Sequence, residues 1–186
     1  MFFMAFMLAI IIGYALNGRL KNIEASNVKY LSLIFIAFFL EFFMLTLVKK
    51  RFLHIGTLTC ISDVIMYGLL IIFSYVNRSN KWLVILGVGA LLNAVVIFAN
   101  GGVMPVDGNI VKSFGYYGDV ASQGLYTLMN KNTNLYFLAD IIPIKYPVKF
   151  INPGIASVGD IVEVIGASIF IITAMKNKNI KNNLSL

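Results

Sequence analysis

Residues 29–48 read KYLSLIFIAFFLEFFMLTLV, an apolar run broken by a single carboxylate, Glu41. A helix of roughly 17–25 mostly apolar residues spans bilayer hydrocarbon, because it satisfies its own backbone polar groups where no water can. Four further runs have the same character: 1–16, 57–76, 82–99 and 154–175. They predict an all-α integral membrane protein, a bundle of about five transmembrane helices. A single membrane domain then covers residues 1–186, with one long extramembrane loop, 100–153, between spans four and five. Whole-chain composition agrees: 59% of residues are hydrophobic and 12% charged, against about a quarter charged in a soluble domain.

The charge is lopsided, with 15 Lys+Arg against 8 Asp+Glu. The basic residues lie in short clusters between apolar runs, as membrane-flanking residues do. Nucleic-acid binding needs them gathered on one face, so the expected partner is the lipid bilayer and not nucleic acid. Five spans place the two ends on opposite sides. The C-terminal side carries Arg19, Lys21, Lys29, Arg78, Lys81, Lys176, Lys178 and Lys181; the short loop on the other side carries Lys49, Lys50 and Arg51. Cytoplasmic loops are the Lys/Arg-rich ones, so the C-terminus is expected in the cytoplasm and the N-terminus and long loop outside. The first run lacks a basic leader and a small-residue cleavage site, and is expected to be retained as a span. Abundant Lys, Asn, Ile and Phe point to a bacterial source, and so to the bacterial cytoplasmic membrane.

Carboxylates inside spans are costly and point to a protein interior. Glu41, Asp63, Asp160 and Glu163 are such residues, and Asn93 adds an amide. Counted from the loop-side end of its run, each of Glu41, Asp63, Asn93 and Asp160 lies about 10 Å deep, with Glu163 near 15 Å, at 1.5 Å per residue. Helical spacing puts Asp63 on one face with Thr59, Cys60, Tyr67 and Ser74, and Asn93 with Gly89, Ala90 and Asn100. Asp160 shares a face with Ala156, Ser157, Glu163 and Ala167. Branched aliphatics occupy the opposite faces. Small and polar residues belong between helices and branched ones toward lipid. A polar layer in one membrane half follows. It is either a pocket for a cation or small ligand, or packing glue between helices.

The loop opens with ANGGVMPV, residues 99–106. Gly101 and Gly102 can adopt positive φ and end the fourth helix, and Pro105 forbids its continuation. Asn100, Gly101, Gly102, Met104, Pro105, Asp140 and Pro143 are candidate lid residues over the polar layer. A short surface helix is expected around SQGLYTLMNK, residues 122–131. Asn152 and Pro153 are expected to start the fifth span as N-cap and first helical residue.

Three segments, N-G-G-x-M-P-V at 100–106, L-x-D-I-I-P-I at 138–144 and S-x-G-D-I at 157–161, together resemble a family of small bacterial multi-spanning membrane proteins catalogued as a domain of unknown function. The resemblance implies a membrane protein and transfers no activity or catalytic residue.

Nothing in the sequence specifies a cofactor or a metal. The best-supported role is binding or accessory, with Glu41, Asp63, Asn93, Asp160 and Glu163 as the ligand or cation pocket beneath a loop lid. The alternative is a structural subunit that docks a membrane-protein partner. A carboxylate-dependent enzyme using Asp140 with Asp160, or Asp160 with Glu163, ranks below both, because the chain lacks a nucleophile elbow, a P-loop and a His-rich cluster. His54 is expected at the interface.

Overall fold

The computed structural model describes residues 2–118, 120, 124–146 and 153–176. Among the described residues six α-helices are formed: α1 (Phe2–Ala15), α2 (Ser32–Lys49), α3 (Thr57–Val76), α4 (Lys81–Ala99), α5 (Gly108–Ser113) and α6 (Val158–Lys176). Four short strands accompany them: β1 (Met104–Val106), β2 (Tyr126–Leu128), β3 (Ile142–Ile144) and β4 (Gly154–Ala156). Helices α2, α3, α4 and α6 are long and apolar enough to cross a membrane; α1 is apolar but shorter, at 14 residues. It ends early because Asn17 turns left-handed (φ 62°) and the Gly18 amide bonds back to the Gly13 carbonyl at 2.9 Å, a helix-stopping turn.

The long helices pack in the order α1–α6–α4–α3–α2. The seam between α4 and α6 is built on glycine. A Cβ at Gly89 would lie 2.6 Å from the Gly159 carbonyl oxygen, and one at Gly166 would lie 2.7 Å from that of Trp82. Only bare backbone permits this approach. The lipid-facing sides are branched: Leu58, Ile61, Ile65 and Ile72 on α3 and Val88, Leu91 and Val95 on α4 are exposed. Their opposite faces, with Thr59, Asp63, Tyr67 and Ser74 on α3 and Gly89, Ala90 and Asn93 on α4, are buried.

Helix α4 ends in a Schellman turn. Gly101 (φ 75°) and Gly102 (φ 84°) are both left-handed, and their amides bond to Phe98 and Ile97 carbonyls at 3.4 and 3.0 Å. The chain leaves that turn as β1, whose unpaired edges recruit the rest of the loop. β2 pairs with it in parallel, Met104 opposite Tyr126, and Asp140 bridges to Val106 on the other side. β3 then pairs antiparallel with β4, Pro143 opposite Ile155.

Two expectations are corrected here. The helix expected around 122–131 is not formed in the described part of that stretch: residues 126–128 are strand β2, and the short helix falls at α5 instead, capped by the Asp107 carboxylate on the Asn109 amide at 2.7 Å. The β1 edge offers backbone partners that an isolated surface helix would leave unused, with Met104 N–H on the Leu125 carbonyl at 2.9 Å and Met129 N–H on Val106 at 3.0 Å. The fifth span begins at Val158 and not at Gly154, because residues 154–156 are claimed by β3. Pro153 precedes β4 and is not the first helical residue, while Asn152 lies outside the described residues. The helix start is a capping box at Ser157: its hydroxyl accepts from the Asp160 amide at 2.8 Å, and the Asp160 carboxylate accepts from the Ser157 amide at 3.1 Å.

Candidate functional site

A cavity of about 110 Å³ lies where α2, α3, α4 and the start of α6 meet the strands of the loop. Its polar lining is Glu41 from α2, Asp63 from α3, Asn93 from α4, Asp160 from α6 and Asp140 from the loop. Tyr67 and Tyr126 supply rings, and Leu45, Met66, Ile97, Met104 and Leu125 add apolar wall; among the described residues, no Lys, Arg or His lines it. Asp160 stands only two residues into α6, so counting from residue 153 overstates its depth along the helix. It is level with Asn93 all the same, because β4 delivers the start of α6 there.

Asn93 is a saturated hub. Its amide nitrogen donates to the Asp160 carboxylate at 2.8 Å and to the Glu163 carboxylate at 3.2 Å, and its oxygen accepts from the Ser157 hydroxyl at 2.6 Å. Every side-chain partner comes from the chain entering or forming α6. Glu163 is thereby held behind Asn93, in the α4–α6 seam, and does not line the cavity. This half of the polar layer is internally satisfied.

The other half is not. Asp63 Oδ2 and Asp140 Oδ1 are both buried without a hydrogen-bond partner, and each residue is only 5% exposed. Such orphans are rare in folded proteins and each calls for a physical reason. Asp140 is fixed by its own backbone, its amide on the Pro105 carbonyl at 3.0 Å and its carbonyl on the Asp107 amide at 3.1 Å, so its carboxylate stays over the cavity. Burial, and then the nearby Asp160 charge, push the Asp140 carboxyl up to about 8 from the ordinary carboxylate range. Burial together with the Asp140 charge raises the Tyr126 hydroxyl above its usual range.

The lid candidates divide by role. Met104 and Asp140 line the cavity; Pro105, the middle residue of β1, is buried and offers its carbonyl to the Asp140 amide. Gly101 and Gly102 form the turn. Asn100 does not reach the cavity: its side chain clasps the Asn134 backbone in both directions at 2.9 Å, while Asn134 bonds the Ala99 carbonyl at 2.8 Å. Pro143 lies in β3, away from the lining. His54 is exposed. Tyr126, Leu125 and Asn134 went unidentified in the sequence, since their roles depend on strand pairing across the loop. Among the described residues, no three His, Cys, Asp or Glu side chains group closely enough to hold a metal ion.

Residues 25–172 match the sequence profile of a family described as a family of unknown function, DUF5317. The chain belongs to DUF5317. The matched stretch holds every residue that lines the cavity and the whole loop, while α1 lies outside it. No curated protein and no solved structure matches the chain.

Proposed function

We propose that this chain is a multi-pass protein of a bacterial cytoplasmic membrane that binds a small, positively charged ligand in the cavity beneath the loop strands. The observation that carries this reading is the pair of unpartnered, buried carboxylate oxygens, Asp63 Oδ2 and Asp140 Oδ1, in a cavity whose wall, among the described residues, includes no cationic side chain. Ionised carboxylates accept only and are costly when left without donors, and several carboxylates in a low-dielectric site cannot all ionise unaided. A cation supplies the compensating charge, and coordinates the carboxylate oxygens or donates N–H bonds to them. The distribution of basic clusters supports a loop on the outer face.

The test is thermal unfolding of the purified chain in mild detergent, with a panel of inorganic and organic cations at matched ionic strength. A ligand that binds the folded state raises its melting temperature. Some cation should do so for the wild type and not for Asp63→Asn or Asp140→Asn. If no cation in the panel separates wild type from variants, the binding reading falls.

A second reading is favoured by the Asn93 hub, which serves helix packing without any ligand. On that reading the chain is an accessory subunit of a membrane complex. Native mass spectrometry showing a stoichiometric protein partner, and no small ligand, would favour it.

A further inference from the structure

We propose that the cavity's ligand is a short alkylammonium group, held by the unpartnered oxygens of Asp63 and Asp140 and enclosed by the Tyr67 and Tyr126 side chains. This rests on the cationic-ligand reading above and narrows it. A dehydrated Mg²⁺ or Ca²⁺ takes six or more oxygens at roughly 2.0–2.6 Å, whereas here no three carboxylates are grouped closely enough to hold a metal ion among the described residues. The carboxylates are instead distributed: Asp63 sits on a helix and Asp140 in the loop cover, with Glu41 on a third element. Donors that reach separated acceptors belong to an ammonium head, which presents up to three N–H bonds at hydrogen-bond length.

Size and wall chemistry agree. The cavity, at about 110 Å³, exceeds severalfold the roughly 10–15 Å³ that one water needs on the same kind of measure, so the ligand has a few heavy atoms. The wall mixes carboxylates with Leu45, Met66, Ile97 and Met104, which suits a charged head on a short hydrocarbon stem. Aromatic rings beside a cation add attraction that a carboxylate alone does not. The same ammonium chemistry is offered by a free small amine and by an ethanolamine lipid headgroup.

The experiment is a melting series on the full chain in detergent with methyl-, ethyl-, propyl- and tetramethylammonium, against sodium, potassium, magnesium and calcium. At about a hundred times its dissociation constant, a binding amine should raise the wild-type melting temperature by roughly 5–10 °C. The primary ammonium ions should do this and lose the effect in Asp63→Asn and in Asp140→Asn. Tetramethylammonium, lacking N–H donors, should not. An inorganic cation that stabilises as well as the amines would overturn the ammonium assignment while keeping a cationic ligand; silence across the whole series would overturn both. Should one of these variants fail to fold, the other variant and the wild-type series decide on the same criteria. Repeating the melts in nanodiscs of phosphatidylethanolamine or phosphatidylglycerol distinguishes the sources. Stabilisation by the ethanolamine lipid without added amine assigns the headgroup, and stabilisation only by added amine assigns a free ligand.

Discussion

Replacing Asn93 by Leu should be the most damaging conservative-volume change in the polar layer. The side chain is 3% exposed and makes three bonds, to Asp160, Glu163 and Ser157. Leu keeps roughly the volume and removes every one of them. A buried polar group left without its partner costs about 1–3 kcal/mol. Glu163, in the seam behind Asn93, bears that cost in full. Asp160 bears less, because it borders the cavity and its other oxygen keeps the Ser157 amide; Ser157 still accepts from the Asp160 amide. The expected total is about 2–5 kcal/mol, or roughly 5–15 °C for a chain of this size. Asp63→Asn is the matched control: Oδ2 has no bond to lose, so the change should stay within about 1 kcal/mol of wild type. Both are read by thermal and denaturant unfolding in detergent. An Asn93→Leu variant as stable as wild type, or an Asp63→Asn variant equally damaged, would refute the division of the layer into a satisfied hub and an open wall.

Three further outcomes are expected. Gly101→Ala should lower stability by about 1 kcal/mol through its positive φ alone, since the space beside it is open, and Gly102→Ala by more, because its Cβ would also lie 3.0 Å from Cys60 Cβ; melting temperatures equal to wild type would remove the turn account. Asp140 is raised to about 8 in the folded chain against an ordinary 3.8, burial first and Asp160 second, with Tyr126 the other titrating neighbour; the native state then holds the extra proton between those values, so its contribution to stability is full below about pH 4 and lost as pH rises through about 8. Melts from pH 5 to 9 should show a steeper fall with pH for wild type than for Asp140→Asn, and parallel curves would count against it. In a Cys60→Ser background, probes at Ser113→Cys and Gly118→Cys should label from outside intact cells and a cysteine placed after Lys178 only after permeabilisation; the reverse pattern would invert the proposed orientation.

Much of the helix bundle was legible because lipid and protein interior sort side chains by face. The spacing of Thr59, Asp63 and Tyr67, and of Gly89, Ala90 and Asn93, carries that sorting within one helix, and so it survives in a single sequence. What failed was non-local. Residues 152–160 hold two helix-start signals, Asn-Pro and Ser-x-x-Asp, and the choice between them is made by β3, ten residues and more upstream. Tyr126 sits in a segment whose local pattern fits a helix; its strand exists only because the α4 turn leaves the β1 edge unpaired. Helical spacing groups Glu163 with Asp160 on one face, about a turn deeper, and so among the pocket candidates, whereas the hydrogen bond from Asn93 holds it in the seam.

Protein interiors pack at crystal-like density, which would draw the carboxylate-lined walls of the cavity together. Two constraints oppose that here. On one wall, the Asn93 hub and the glycine contacts at Gly89 and Gly166 fix α4 against α6, so neither helix can tilt inward without breaking satisfied bonds or overlapping backbone. On the other, Asp140 is held by backbone bonds to Pro105 and Asp107, and the cover is tied to the end of α4 by Asn100 and Asn134. The carboxylates between these walls cannot be quenched by an approaching apolar side chain, which would desolvate them further without offering a donor. The rigid parts of the polar layer thus keep Asp63 and Asp140 apart, and on the proposed reading a donor-bearing guest satisfies both without moving the helices.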